Sequence, residues 1–228
     1  MMSTTTPELP DAVLFDMDGT LIDSEHLWLL TEIEVMTELG GHWSQADQAE
    51  CLGGPLEKVA HYMAERASRA VAPEHICEDI LARMEVRLRD SELSWRPGAR
   101  DLLAEALALG VPTALVSASW NNLIDAVRDR IAAEVGGEPF AVVVAGDDVT
   151  NSKPHPEPYR TAAAMIGVAP ERCLALEDSP TGVQSAVAAG CTVVAIPHIA
   201  HIDLPGALTI ETLEGRSLTE LWSAARAG

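Results

Sequence analysis

The segment Asp11-Ala12-Val13-Leu14-Phe15-Asp16-Met17-Asp18-Gly19-Thr20 runs an apolar stretch into two aspartates. It reads as a brief buried strand that ends in acidic residues, with Gly19 permitting a tight turn beyond them. Farther along, strand and helix alternate. Arg96-Pro97-Gly98 opens a helix to about Leu109, and a strand follows over 112–117. A helix over 120–135, a strand over 140–145, a helix over 157–166 and a strand over 173–176 continue the pattern. Then come a helix over 180–189 stopped by Gly190, a strand over 192–196, an edge strand over 207–210 and a last helix from Ser217. Repeated strand-then-helix units with almost fully apolar strands imply a parallel sheet covered on both faces.

Between the first strand and this series, residues from Glu25 to about Asp90 read as mostly helical. Leu27, Leu30, Ile33 and Met36 begin an amphipathic stretch, and Gly40-Gly41 and Leu52-Gly53-Gly54-Pro55 punctuate it. Further helical runs lie near 56–69 and 73–89. The expected architecture is α/β: a Rossmann-like parallel-sheet core, residues 11–24 and 95–228, interrupted by an inserted helical cap domain, residues 25–94.

Composition narrows the class. The chain has 228 residues, 47% hydrophobic and 22% charged, a globular balance, and with 4% aromatics its core must rest on Ala, Val, Leu and Ile. Fifteen basic against thirty-five acidic residues give a formal charge of −20, a field that repels nucleic acid and anionic membranes. It also opposes a phosphorylated substrate, so a phosphate site needs local positive charge. Cys51, Cys77, Cys173 and Cys191 are scattered without a CxxC pair and read as small apolar fillers. The first residues, MMSTTTPELP, lack the basic-then-apolar pattern of a signal peptide, and no apolar run approaches a membrane span. A cytoplasmic protein, monomer or homodimer, is expected.

In an open parallel sheet, ligands bind beyond the carboxyl ends of the strands. There the sequence places Asp16 and Asp18 after the first strand, Ser117 after the second, a loop leading to Lys153 after the third, and Glu177-Asp178 after the fourth. A carboxylate can attack phosphorus and split one hard displacement into two easier ones. Several carboxylates converging on an anion require a cation, and Mg²⁺ takes hard oxygen ligands together with a phosphate oxygen.

The same four stations resemble the four motifs of the haloacid dehalogenase-like (HAD) hydrolases, closest to the branch of β-phosphoglucomutase-like and phosphoglycolate phosphatase-like enzymes. The matching segments are Asp16-Met17-Asp18-Gly19-Thr20, Val116-Ser117-Ala118-Ser119, Lys153-Pro154-His155-Pro156 and Glu177-Asp178-Ser179-Pro180. The resemblance implies Asp16 as nucleophile and Asp18 as the acid that protonates the leaving oxygen and then activates water. It implies Ser117, Ala118, Gly19 and Lys153 around the phosphoryl group. The metal set would be Asp16, Asp18 through its carbonyl, and Asp178, with Glu177 direct or through water. For Asp178 a helix N-cap is a second reading.

Departures from the mutases of this branch bear on substrate. Where they place a basic residue after the second motif, this chain has Trp120, Asn121 and Asn122; where their cap loop carries Lys and Arg, it reads Gly53-Gly54-Pro55-Leu56-Glu57. Hydrolysis of a small phosphorylated metabolite is therefore expected, with a sugar phosphate mutase and a catalytically silent binding protein as alternatives. Trp28, Trp43 and His42 could contact substrate but read first as packing or surface residues, His26 as hinge or surface, and His155 as structural. Asp147 and Asp148 are expected to hydrogen-bond their own loop or Lys153, and 198–201 is assigned no function.

Overall fold

The structure, a computed structural model, describes residues 8–52 and 54–227; most of the leader and Gly53 of the cap loop lie outside them. Six strands form one parallel sheet: β1 (Ala12–Phe15), β2 (Thr113–Val116), β3 (Val142–Val144), β4 (Cys173–Glu177), β5 (Thr192–Ala195) and β6 (Ala207–Thr209). Their order is β3-β2-β1-β4-β5-β6, so the strand order reverses beside β1, where a crevice opens at the carboxyl edge. The register pairs Phe15 with Leu115 on one side and Leu176 on the other. One residue farther along, Asp16, Val116 and Glu177 come abreast.

Strand residues alternate between two cores, as the two-residue repeat of a strand requires. Val13, Phe15, Leu115, Leu174 and Leu176 face one apolar cluster with α5 (Ala99–Ala108), α6 (Asn121–Val135) and α9 (Leu218–Ala227), represented by Leu102, Leu123 and Trp222. Ala12, Ala114, Ala175 and Ala195 face the other, with α7 (Glu157–Ile166) and α8 (Pro180–Ala189) represented by Tyr159, Ala162, Val183 and Ala186. Small residues on that face let both helices sit close to the sheet. Cys51, Cys77, Cys173 and Cys191 are buried and free, as expected of fillers.

Between β1 and α5 lie α1 (Glu25–Glu38), α2 (Gln45–Cys51), α3 (Leu56–Arg66) and α4 (Pro73–Asp90), packed on Met36, Met63, Ile80 and Met84. Two crossings tie this insertion to the sheet: Asp23 N–H donates to the Ser94 carbonyl at 2.7 Å, and Arg96 N–H to that of Leu21 at 2.9 Å.

Some sequence expectations change. Leu30 and Ile33 are exposed, and the buried face of α1 is Glu25, Leu27, Thr31, Glu32, Val35 and Met36. The apolar repeat misled because this face carries two carboxyl groups. Helix α3 stops at Arg66 instead of Arg69, since Ala67 turns extended and Ser68 N–H pairs with the Leu39 carbonyl at 3.0 Å. The expected strand over 140–145 shortens to β3 and leads into a 3-10 turn at Gly146–Asp148. No described helix is long and apolar enough to cross a membrane.

Candidate active site at the sheet edge

Asp16, Asp18, Ser117, Ala118, Lys153 and Asp178 line one cleft of about 720 Å³ between sheet edge and helical insertion. Lys153 organises its floor. The residue is 2% exposed, and its ammonium donates to Asp16 Oδ1 at 2.7 Å, Glu177 Oε1 at 2.6 Å and the Val116 carbonyl at 3.0 Å. Burial alone would lower its pKa; Asp16 and Glu177 outweigh burial and hold the ammonium above its ordinary value.

Glu177 stands behind that ammonium and is saturated. Oε1 also accepts from Tyr159 OH at 2.7 Å, while Oε2 accepts from Ser179 Oγ at 3.2 Å and the N–H groups of Asp178 and Ser179 at 3.2 and 3.4 Å. A Cβ on Gly182 would lie 1.9 Å from Glu177 Oε1, so only glycine fits there. Ser179 supplies the N-cap of α8, its Oγ accepting from Gly182 N–H at 3.1 Å. The capping reading of Asp178 thus passes to its neighbour, and the Asp178 carboxylate is left for other work.

Asp16 Oδ2 and Asp178 Oδ2 are buried and receive no hydrogen bond from the described residues. Ligand atoms of Asp16, Glu177 and Asp178 lie within 4.8 Å of one another. Burial and then Glu177 push Asp16 up to about 7 despite Lys153, and burial with Asp16 and Glu177 raises Asp178 well above the carboxylate range. One ammonium is too little positive charge for three such carboxylates. Orphaned hard oxygens short of a counter-charge fit a divalent cation.

Asp18 is held from both sides of the cleft. Its Oδ1 accepts from Ser24 Oγ at 2.5 Å and Trp28 Nε1 at 3.1 Å; its Oδ2 accepts from Ser119 Oγ at 2.7 Å, with Ser117 Oγ at 3.5 Å. Ser24 is the N-cap residue of α1, yet its hydroxyl caps nothing and turns to Asp18 instead. Trp28, read from sequence as packing or surface, contacts the proposed acid directly. Ser119 stands in the sequence only as a member of its motif, and Tyr159 only as the helix residue six positions after Lys153. Their roles depend on partners far away in the chain.

Gly19 does not line the cleft. Its N–H is taken by the Ile22 carbonyl at 2.8 Å, and at φ +80° a Cβ would fall 2.1 Å from Asp178 Oδ2. Glycine is needed there to let that carboxylate approach. Asp147 and Asp148 bind the start of α6 and their own loop, through Asn121 and Ala145 N–H, and make no bond to Lys153. His155 Nδ1 accepts from Glu157 N–H at 3.2 Å, a structural contact. Lys153 is the sole cation lining the cleft among the described residues. Trp120 lines it as well, whereas Glu57 is exposed elsewhere; the carboxyl groups that enter from the insertion are Glu25 and Glu32.

Residues 13–196 match the family model described as haloacid dehalogenase-like hydrolase. The chain is 32% identical over 206 residues to Protein CbbY of Cereibacter sphaeroides, covering 86% of this chain and 89% of the relative. It is 31% identical over 195 residues to Hexitol phosphatase B of Escherichia coli, covering 85% and 86%. A crystal structure of a CbbY variant from Rhodobacter sphaeroides in complex with xylulose-(1,5)bisphosphate superposes with a TM-score of 0.83 at 28% identity, covering 93% of this chain and 99% of that one. Matched through its sheet, its rim and its inserted helices, the chain belongs to the haloacid dehalogenase-like hydrolases.

Proposed function

We propose that this protein is a Mg²⁺-dependent phosphatase that hydrolyses small phosphate monoesters, sugar phosphates or similar metabolites, through an aspartyl phosphate on Asp16. One observation carries the reading: Asp16 is fixed by Lys153 at 2.7 Å, keeps its second oxygen free, and shares the cleft with Asp18. The two relatives agree, since both align over most of their length and one is named a phosphatase.

In this reading Asp16 attacks phosphorus and the ester bond breaks toward the leaving oxygen, which takes a proton from Asp18. Asp18, now a base, deprotonates the water that attacks the aspartyl phosphate, releasing phosphate and restoring Asp16. Ser24, Trp28 and Ser119 hold Asp18 at the cleft for both steps. Ser117 and the Ala118 segment contact phosphoryl oxygens, and Lys153 supplies fixed positive charge. Asp16, Asp178 and the Asp18 carbonyl would hold Mg²⁺, which when bound neutralises the carboxylates and polarises the phosphoryl group. Glu177, whose two oxygens already accept from Lys153, Tyr159, Ser179 and backbone N–H groups, would assist the cation directly or through water.

Residues 11–24 and 95–228 then form the catalytic core and 25–94 a cap that excludes bulk water. The protein works in the cytoplasm as monomer or homodimer. A cleft in which Lys153 is the one lining cation among the described residues favours hydrolysis over a mutase that must hold a second phosphate. Incubation of the purified protein with Mg²⁺ and a panel of phosphorylated metabolites should release inorganic phosphate. Silence on every ester, or isomerisation without phosphate release, would overturn the assignment.

A further inference from the structure

Leading away from the reacting aspartates, α1 presents Glu25, Trp28 and Glu32, three and four residues apart and therefore on one helix face, with Trp28 Nε1 on Asp18 at 3.1 Å at the near end. Seven residues of helix span about 10 Å, the length of a phosphorylated six-carbon chain. Glu32 is 4% exposed; its Oε2 accepts from Trp43 Nε1 at 2.8 Å, and its Oε1 has no partner among the described residues. Gln48, also on the cleft wall, donates through Nε2 to the Glu25 carbonyl at 2.9 Å and to Glu25 Oε2 at 3.2 Å, leaving its amide oxygen without a described partner. The remaining wall is apolar, with Leu56, Val59 and Leu81. A carboxyl oxygen on the cleft wall that no described residue engages is open to a hydrogen bond from a ligand.

Resting on the phosphatase reading, we propose that Glu32, assisted by Gln48, is the specificity determinant for the leaving group: the cleft selects the monophosphate of a straight-chain polyol, whose distal hydroxyls pair with the Glu32 carboxyl. A second phosphate at this end would meet this carboxyl and no cation among the described residues. Hydroxyls suit the site better than an ammonium does. Burial holds the Glu32 carboxyl up to about 8, so at neutral pH it both donates and accepts, as a hydroxyl does, whereas an ammonium only donates. The apolar wall takes the C–H edge of the chain, in the usual pattern of a mostly apolar pocket with few placed polar groups.

Calorimetry on the Asp16→Asn protein with Mg²⁺ reads this selectivity without turnover. Sorbitol 6-phosphate should bind about tenfold or more tightly than hexyl phosphate, 6-aminohexyl phosphate or fructose 1,6-bisphosphate. In the Asp16→Asn, Glu32→Gln double variant, which keeps an oxygen for Trp43 Nε1, the preference over hexyl phosphate should fall to about threefold or less. Tighter binding of the amine or the bisphosphate, or a preference that survives Glu32→Gln, overturns the proposal. Selectivity of the expected kind in a wild-type protein that turns over no ester would support it while removing the phosphatase reading.

Discussion

On the core side of the cleft, Asp16 and Glu177 share the ammonium of Lys153; on the cap side, Glu25 and Glu32 are also buried and pair with no cation among the described residues. The core solves the problem of buried charge by pairing it, and fixes the pair with Tyr159 and the amides at the start of α8. In the cap it is solved by protonation: burial first, then neighbouring carboxylates including Asp18, raise Glu25 to about 8, and burial raises Glu32 likewise. Paired charge keeps its field and suits chemistry on an anion. Neutral carboxyl groups give up charge and suit recognition of an uncharged leaving group. Trp28 joins the two sides, rising from the cap helix to donate to the core's Asp18.

Removing the cation from the core is the harshest way to break this contrast. Lys153→Met should leave two buried carboxylates without their partner and cost about 3–5 kcal/mol of stability. For a chain of this size that is a fall in Tm of roughly 6–20 °C, read by calorimetry at pH 7. An unchanged Tm would mean that the pair is not buried as described.

A gentler change sharpens the cap side. Because the folded-state pKa of Glu32 is raised above the ordinary glutamate value of 4.5, the folded protein binds more protons than the unfolded chain between that value and about 8. The contribution is whole below the unfolded pKa and is lost as pH rises through the folded one, so stability declines across that window. Glu32→Gln cannot ionise. Its Tm relative to wild type should therefore climb between pH 5 and pH 8.5, and a constant difference would show that Glu32 is ionised throughout.

Much of this core was legible before any coordinates. Apolar runs of strand length and the polar or charged residues after four of them located β1, β2, β4 and the stations at Asp16, Ser117, Lys153 and Asp178, because parallel pairing brings strand ends to a common edge. The cap was less legible for a specific reason. Residues Glu25, Trp28 and Glu32 share a face by helical spacing, but an acidic, aromatic, acidic stripe reads equally as a solvated surface until a partner wall closes over it. Leu30 and Ile33 pointed to the opposite face and are exposed. Trp43 reads from sequence as packing or surface, and it is buried; its contact with Glu32 depends on a turn at Gly40-Gly41 that swings the chain back onto α1. Ser179 and Asp178 are both plausible caps by composition, and only the coordinates assign the cap to Ser179.

The central claim is covalent catalysis at Asp16, and acid quenching during turnover tests it most directly. With Mg²⁺ and a substrate labelled with ³²P in its phosphate, quenched wild-type protein should carry label on the peptide containing Asp16, and the Asp16→Asn protein none. Label on another residue, or steady phosphate release with no labelled protein at the shortest quench times, would contradict the account.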